Sequence, residues 1–91
     1  PKGIDLDKLK NDVEKIEGVS NLHHIHIWQI DEKNYLFEGH IKLQNDVPVS
    51  KADCIRKSVE DLLNNEFNIS HSTIQIEYNG CYENDLIKKH Y

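Results

Sequence analysis

This sequence predicts an α+β fold, a two-layer sandwich in the order helix, strand, strand, helix, strand, with one face of the sheet left open. Two segments carry apolar residues at the three-and-four spacing of a helix face, and three others alternate with the period of two that marks a half-buried strand. Clusters of Gly, Pro, Asn and Asp punctuate the joins. Three strands with one apolar face and two amphipathic helices satisfy each other by packing the helices on the same side of the sheet.

The first helix is expected from Asp5 to Glu17, where Leu6, Leu9, Val13 and Ile16 form the apolar stripe. Asp5 is a suitable N-cap, and Gly18 stands where a helix end favours a left-handed residue. Val19 to Ile30 is rich in β-branched residues and alternates at His23, Ile25 and Ile27, which predicts a strand. The polar turn Asp31-Glu32-Lys33-Asn34 leads into a second strand, Tyr35 to Leu43, and the two strands form a hairpin. Asn45-Asp46-Val47-Pro48 breaks that pattern. Ser50 then opens a second helix reaching about Phe67, with Asp53 completing a shortened capping box and Ala52, Ile55, Val59 and Leu62 as the buried stripe. A third strand covers Ser70 to Tyr78, with Ile74, Ile76 and Tyr78 on its apolar side. Asn79-Gly80 closes it, and the polar tail beyond receives no assignment.

Ninety-one residues make one domain, 1–91, with a single core and a thin margin of stability. Hydrophobic residues at 37% and charged residues at 30% describe a folded, water-exposed piece and not a disordered one. No apolar run approaches the roughly 20 residues that cross a bilayer, and no basic-then-apolar leader opens the chain. A start at Pro1 and the lack of any Met predict a piece excised from something longer. The net charge of −5, with eleven scattered basic residues, argues against a nucleic-acid partner and suits a cationic ligand. Cys54 and Cys81 do not form a CxxC and read as reduced thiols of a cytosolic protein. Cys54, beside the helical stripe, is expected to be a small buried hydrophobe, and Cys81 an accessory ligand at most.

Strand parity sorts the chemistry. With Ile25 and Ile27 turned to the helices, His24, His26 and Trp28 fall on the open face. Glu38, His40 and Lys42 follow from the second strand, and Thr73, Gln75 and Glu77 from the third. His23 lies at the strand entrance, where twist turns it toward the same place. Strands about 4.8 Å apart let imidazole and carboxylate groups share an ion at bond lengths near 2 Å. These donors suit zinc first, and also manganese, iron, cobalt, nickel or cadmium. A ligating imidazole needs its second nitrogen held by an acceptor, a role open to Glu38 or Gln75. Since imidazole titrates near pH 6.5, protons should compete with the ion below neutrality. The blander reading stands beside this one: open sheet faces are wet, and His, Thr and Glu are ordinary there. Trp28 is read as a protein contact, His71 as a surface residue and His90 as incidental. No Gly-rich phosphate loop, nucleophile elbow or HExxH motif is present, so an enzyme is the weaker hypothesis.

Three segments carry a family resemblance. Gly18-Val19 with Leu22-His23-His24-Ile25-His26-Ile27-Trp28, then Phe37-Glu38-Gly39-His40-Ile41, then His71-Ser72-Thr73-Ile74-Gln75-Ile76-Glu77 together resemble the cytoplasmic C-terminal domain of cation diffusion facilitator transporters. The resemblance spans almost the whole chain. It implies a metallochaperone-like (ferredoxin-like) fold, a V-shaped homodimer, and a transmembrane domain of the same polypeptide above it; Trp28, read as a protein contact from its exposure, is then expected at the dimer interface. It also implies that metal bound in this domain draws the two arms together and favours transport. By position, the usual ligands fall on His23, His40 and Glu77, with Gln75 as a neighbour. His24 stands where an aspartate is common, and some members place a histidine and an aspartate in the third strand. Parity thus favours His24 and His26 while the resemblance favours His23, and strand twist or a bulge at the strand entrance would reconcile them. A free-standing metallochaperone and a purely structural dimerisation module are the alternatives.

Overall fold

The computed structural model of the protein describes residues 3–79. Its elements are α1 (Leu6–Glu14), β1 (Val19–Gln29), β2 (Tyr35–Leu43), α2 (Val49–Phe67) and β3 (Ile69–Glu77), the order expected from the sequence. The sheet order is β1-β2-β3, with β1 and β2 antiparallel and β2 and β3 parallel. The parallel pair requires a crossover, and α2 supplies it.

Asp5 caps α1 as expected, its side chain accepting from the Lys8 backbone N–H at 3.1 Å. Leu9 and Val13 are its buried residues. The helix stops at Glu14 rather than Glu17, and the turn that follows brings Gly18 to a φ of 95°. Only glycine takes that conformation freely, and a Cβ here would sit 2.6 Å from Ile55 Cδ1, so α2 packs directly on the turn.

The second helix begins at Val49 without a side-chain cap, because its N-cap is Pro48. Asp53 therefore completes no capping box and instead pairs with Arg56 at 3.2 Å. Ile55, Val59 and Leu63 form the buried stripe at i, i+4 spacing, while Ala52 and Leu62 flank it, partly buried. Cys54 is exposed, contrary to the expectation of burial, since its position next to Ile55 turns it off the stripe. Asn68 ends the helix in the left-handed conformation with φ 58°.

The core joins Leu9 and Val13 to Val19, Leu22, Phe37, Ile41 and Leu43 of the hairpin, the stripe of α2, and Ile69. Ile25, Ile27, Ile74 and Ile76 pack against it from the inner face of the sheet, as parity requires. Tyr78 lies beyond β3 and is exposed. Among the described residues no helix is long and apolar enough to cross a membrane. Cys81, His90 and the polar tail lie outside the described residues.

Candidate metal centre

Two irregularities in β1 build the site. Between the pairs Val19–Leu43 and Asn21–Lys42, and again between His23–His40 and His26–Glu38, β1 has one residue more than β2 opposite. Each extra residue is a β-bulge, which reverses the parity of everything on one side of it relative to the other. At the second bulge His24 takes a φ of 53°. A side chain in that left-handed region costs about 1–2 kcal/mol, though histidine enters it more often than most residues. The result is that His23, before the bulge, and His26, after it, both belong to the open side of the sheet. Of the two ways to reconcile parity with the resemblance, strand twist or a bulge, the register shows the bulge.

Because of it, three imidazoles crowd together. Ring centroids lie 5.1 Å apart for His23 and His24, 5.4 Å for His23 and His40, and 4.8 Å for His24 and His40. One ligand nitrogen from each of these three residues lies within 4.8 Å of the other two. Nitrogens around a tetrahedral ion at about 2.0–2.1 Å are separated by roughly 3.3 Å, so small side-chain rotations bring this set into register. The chemistry of the donors and their spacing both fit a divalent ion.

Glu77 of β3 joins them. Its Oε1 lies 3.0 Å from His23 Nε2 and its Oε2 lies 2.7 Å from His40 Nδ1, so one carboxylate spans two rings from two strands. Gln75 donates to Glu77 Oε2 at 3.2 Å and orients the carboxylate rather than any imidazole. The side chains of His23 and His40 are 32% and 30% exposed and that of Glu77 16%, which leaves the imidazoles reachable from solvent. An open depression of about 270 Å³ runs from His24 and His40 toward His26, Glu38, Thr73 and Gln75.

His26 does not join the cluster. It pairs across the hairpin with Glu38 and stacks on Trp28 at 6.0 Å, interplanar angle 17°, with Trp28 itself 48% exposed. His71 is exposed, as expected.

The acceptor for His23 is neither Glu38 nor Gln75. Asn21 Oδ1 lies 2.7 Å from His23 Nδ1, two residues back on the same strand. Asn21 Nδ2 in turn donates to Glu14 Oε2 at 3.3 Å. The same oxygen accepts the Leu22 backbone N–H at 2.8 Å and pairs with the Lys10 ammonium. Burial pushes the Glu14 carboxyl up, but the Lys10 hydrogen bond, the Leu22 N–H and the Lys10 charge outweigh it and hold the group below its ordinary value. Parity alone gave no sign of Asn21, since its relation to His23 depends on a regular stretch confined between two bulges.

The chain matches a known family and several known proteins. The family described as cation efflux protein, cytoplasmic domain, matches residues 1–79. The chain is 35% identical over 82 residues to the zinc transporter ZitB of Yersinia pestis, covering 89% of this chain and 25% of that protein. It is 38% identical over 77 residues to metal tolerance protein 1 of Arabidopsis thaliana, covering 85% of this chain and 19% of that protein. It therefore spans a quarter or less of the length of these two relatives. Among solved structures, the metal-bound C-terminal domain of the CzcD transporter from Cuprividus metallidurans superposes with a TM-score of 0.70 at 24% identity, covering 81% of this chain and 99% of that one. The putative zinc transporter CzrB gives 0.72 at 21% identity, with 82% and 93% covered. At those identities the two superpositions speak for the fold.

Proposed function

The chain belongs to the family of cation efflux protein cytoplasmic domains, and from that premise we propose that it is the metal-sensing, dimerising end of a divalent-cation transporter, zinc being the first candidate ion. The ligands in this reading are His23, His24, His40 and Glu77. One observation carries it: three imidazoles from adjacent strands sit with donor atoms within 4.8 Å of one another, assembled by a bulge whose left-handed histidine has no use in the packing of the core.

A bound divalent ion supplies positive charge to a chain whose net charge is −5. The chain's own part is to present the donors and to hold them at fixed separation. Two copies of an acidic domain repel, and an ion held near a shared interface offsets that repulsion. Metal then favours whichever separation of the two arms completes the ligand set, which is linkage in the ordinary sense. The exposed Trp28 ring, flat against His26, suits a contact between copies. Attachment to a membrane-embedded portion of the same polypeptide follows from the family and from the length of the relatives.

One observation favours a second reading. Glu77 already lies within hydrogen-bond distance of both His23 and His40 without an ion, as a purely structural dimerisation module would have it. Calorimetric titration of zinc and of manganese into the wild type and His40→Ala, with sedimentation in the presence and absence of metal, separates the readings. The sensor reading expects a dimer without metal, zinc-dependent stabilisation, and the loss of at least one site in the variant. Unchanged stoichiometry in His40→Ala overturns the ligand assignment. A dimer whose melting temperature ignores zinc is the structural module, and a monomer that binds zinc is a free metallochaperone.

A further inference from the structure

We infer that Asn21, backed by Glu14 of α1, is the positioning residue that aims the His23 imidazole into the metal centre and thereby sets how tightly that centre holds its ion. The inference rests on the metal-site reading given above and names a residue that reading does not include.

The argument begins with the edge of the sheet. Among the described residues β1 is an edge strand, and backbone groups on its outer side have no strand partner there. Glu14, the last residue of α1, reaches that edge and accepts the Leu22 N–H at 2.8 Å. This places a carboxylate oxygen, which also pairs with Lys10, against the Asn21 side chain. A carboxylate only accepts, so the Asn21 amide must turn its Nδ2 toward Glu14. Its Oδ1 then faces His23 Nδ1 at 2.7 Å. An amide oxygen cannot donate, so the ring hydrogen on that side belongs to His23 Nδ1.

The consequence lies at the opposite nitrogen. With Nδ1 engaged by Asn21, Nε2 is the atom His23 offers to the centre, and it is the atom found 3.0 Å from Glu77 Oε1. Outer partners of this kind fix both the ring orientation and the nitrogen available for coordination, and their loss ordinarily weakens metal binding ten- to hundredfold. His24 and His40 differ: the His24 ring has no hydrogen bond among the described residues, and the Nδ1 of His40 is engaged by Glu77 itself. The orientation of one ring of the three is thus decided outside the centre, by the end of a helix.

Three variants test this in the intact domain: Asn21→Leu, Glu14→Gln, and the pair Glu14→Gln/Asn21→Asp. In the pair, the new carboxylate keeps an acceptor on His23 Nδ1 and receives the new amide N–H, while the Leu22 N–H, which in the wild type shares Glu14 Oε2 with Asn21, must move to the amide oxygen. The readouts are zinc affinity by competition titration, the melting temperature of the metal-free protein, and the ring-nitrogen chemical shifts of His23 by NMR without metal. The expected result is a ten- to hundredfold loss of zinc affinity in Asn21→Leu, with altered His23 nitrogen shifts and a metal-free melting temperature within a few degrees of wild type. The pair should recover the wild-type shifts and at least wild-type affinity, and Glu14→Gln alone should fall between. Wild-type affinity and wild-type shifts in Asn21→Leu overturn the inference alone. So does a pair as weak as Asn21→Leu. A wild type that takes up no zinc overturns the metal-site reading and this inference together.

Discussion

The two ends of β1 carry the same kinds of residue and do different things with them. Toward its exit the strand pairs regularly, His26 opposite Glu38, Ile27 opposite Phe37 and Trp28 opposite Leu36. Same-face neighbours on such a strand stand about 7 Å apart, and His26 finds only the Trp28 ring to stack on. Toward its entrance two extra residues break the pairing, and His23, His24 and His40 are gathered with ring centroids no more than 5.4 Å apart. Regular pairing spreads side chains out evenly. Irregular pairing concentrates them, and a cluster of donors needs concentration more than it needs regularity.

That contrast can be broken at several points. The largest effect belongs to the imidazoles themselves. His40→Ala should abolish one zinc site per chain, whereas His26→Ala, on the regular half, should leave zinc stoichiometry as in wild type; calorimetric titration of both variants checks the pair. Equal losses would mean that the two halves of the strand are functionally alike.

Next in size is the support beneath the bulge. Gly39 lies on β2 between the two pairs that flank it, and a Cβ there would sit 2.7 Å from Phe37 Cζ and 3.3 Å from Leu22 Cδ1. Gly39→Ala should cost about 1–3 kcal/mol through overpacking of the inner face. At roughly 4–8 °C per kcal/mol for a domain of this size, thermal denaturation will register the change.

Acid provides a third test, aimed at the link between α1 and the bulged half. The Glu14 carboxyl is held below its ordinary value of 4.5, chiefly against burial and through Lys10 and the Leu22 N–H. A depressed carboxyl contributes stability that is fully present above the unfolded-state value and is lost as pH falls through the folded-state value. Denaturant titrations between pH 6 and pH 2 should therefore show stability declining below about 4.5 in the wild type, with a shallower decline in Glu14→Gln.

The smallest effect is the most direct comparison of the two halves. His24→Gly relieves a left-handed backbone of about 1–2 kcal/mol while adding roughly 0.5–1 kcal/mol of chain entropy on unfolding. The metal-free domain should come out between level and about 1.5 kcal/mol more stable. His26→Gly, in regular strand, has nothing to relieve and should destabilise by about 0.5–1 kcal/mol. Urea unfolding of the two variants decides it.

The elements were legible because their periodicity is local. Leu9 and Val13, or Ile55 and Val59, identify a helix face from a few residues of context, and Ile25 and Ile27 identify the inner side of a strand. What parity cannot do is cross a bulge. Counting back from Ile25 sends His23 under the helices, and it was twist at the strand entrance and the family resemblance that placed it with His40 and Glu77. Nothing in the residue at position 24 announces a left-handed backbone as a glycine would have done. Asn21 stayed hidden for the same reason, and Glu14 because its role needs the free edge of β1, which depends on the order of strands and not on any one of them. The misreadings of Asp53 and Cys54 are smaller. Each was judged from its distance along the chain to a landmark, Ser50 or the apolar stripe, and the true start of α2 at Val49 and the angular step between neighbours moved both outward.

Glu77 has one further implication. Its two oxygens tie together rings that begin on different strands, and immobilising a flexible side chain upon association ordinarily opposes binding by about 0.5–1.5 kcal/mol each. Here that loss of rotamer freedom is incurred when the chain folds, before any ligand arrives. Of the gathered groups His24 has the most left to settle, and the others need only small rotations. Capture should accordingly be limited by diffusion to the open face and not by a slow search for the right arrangement.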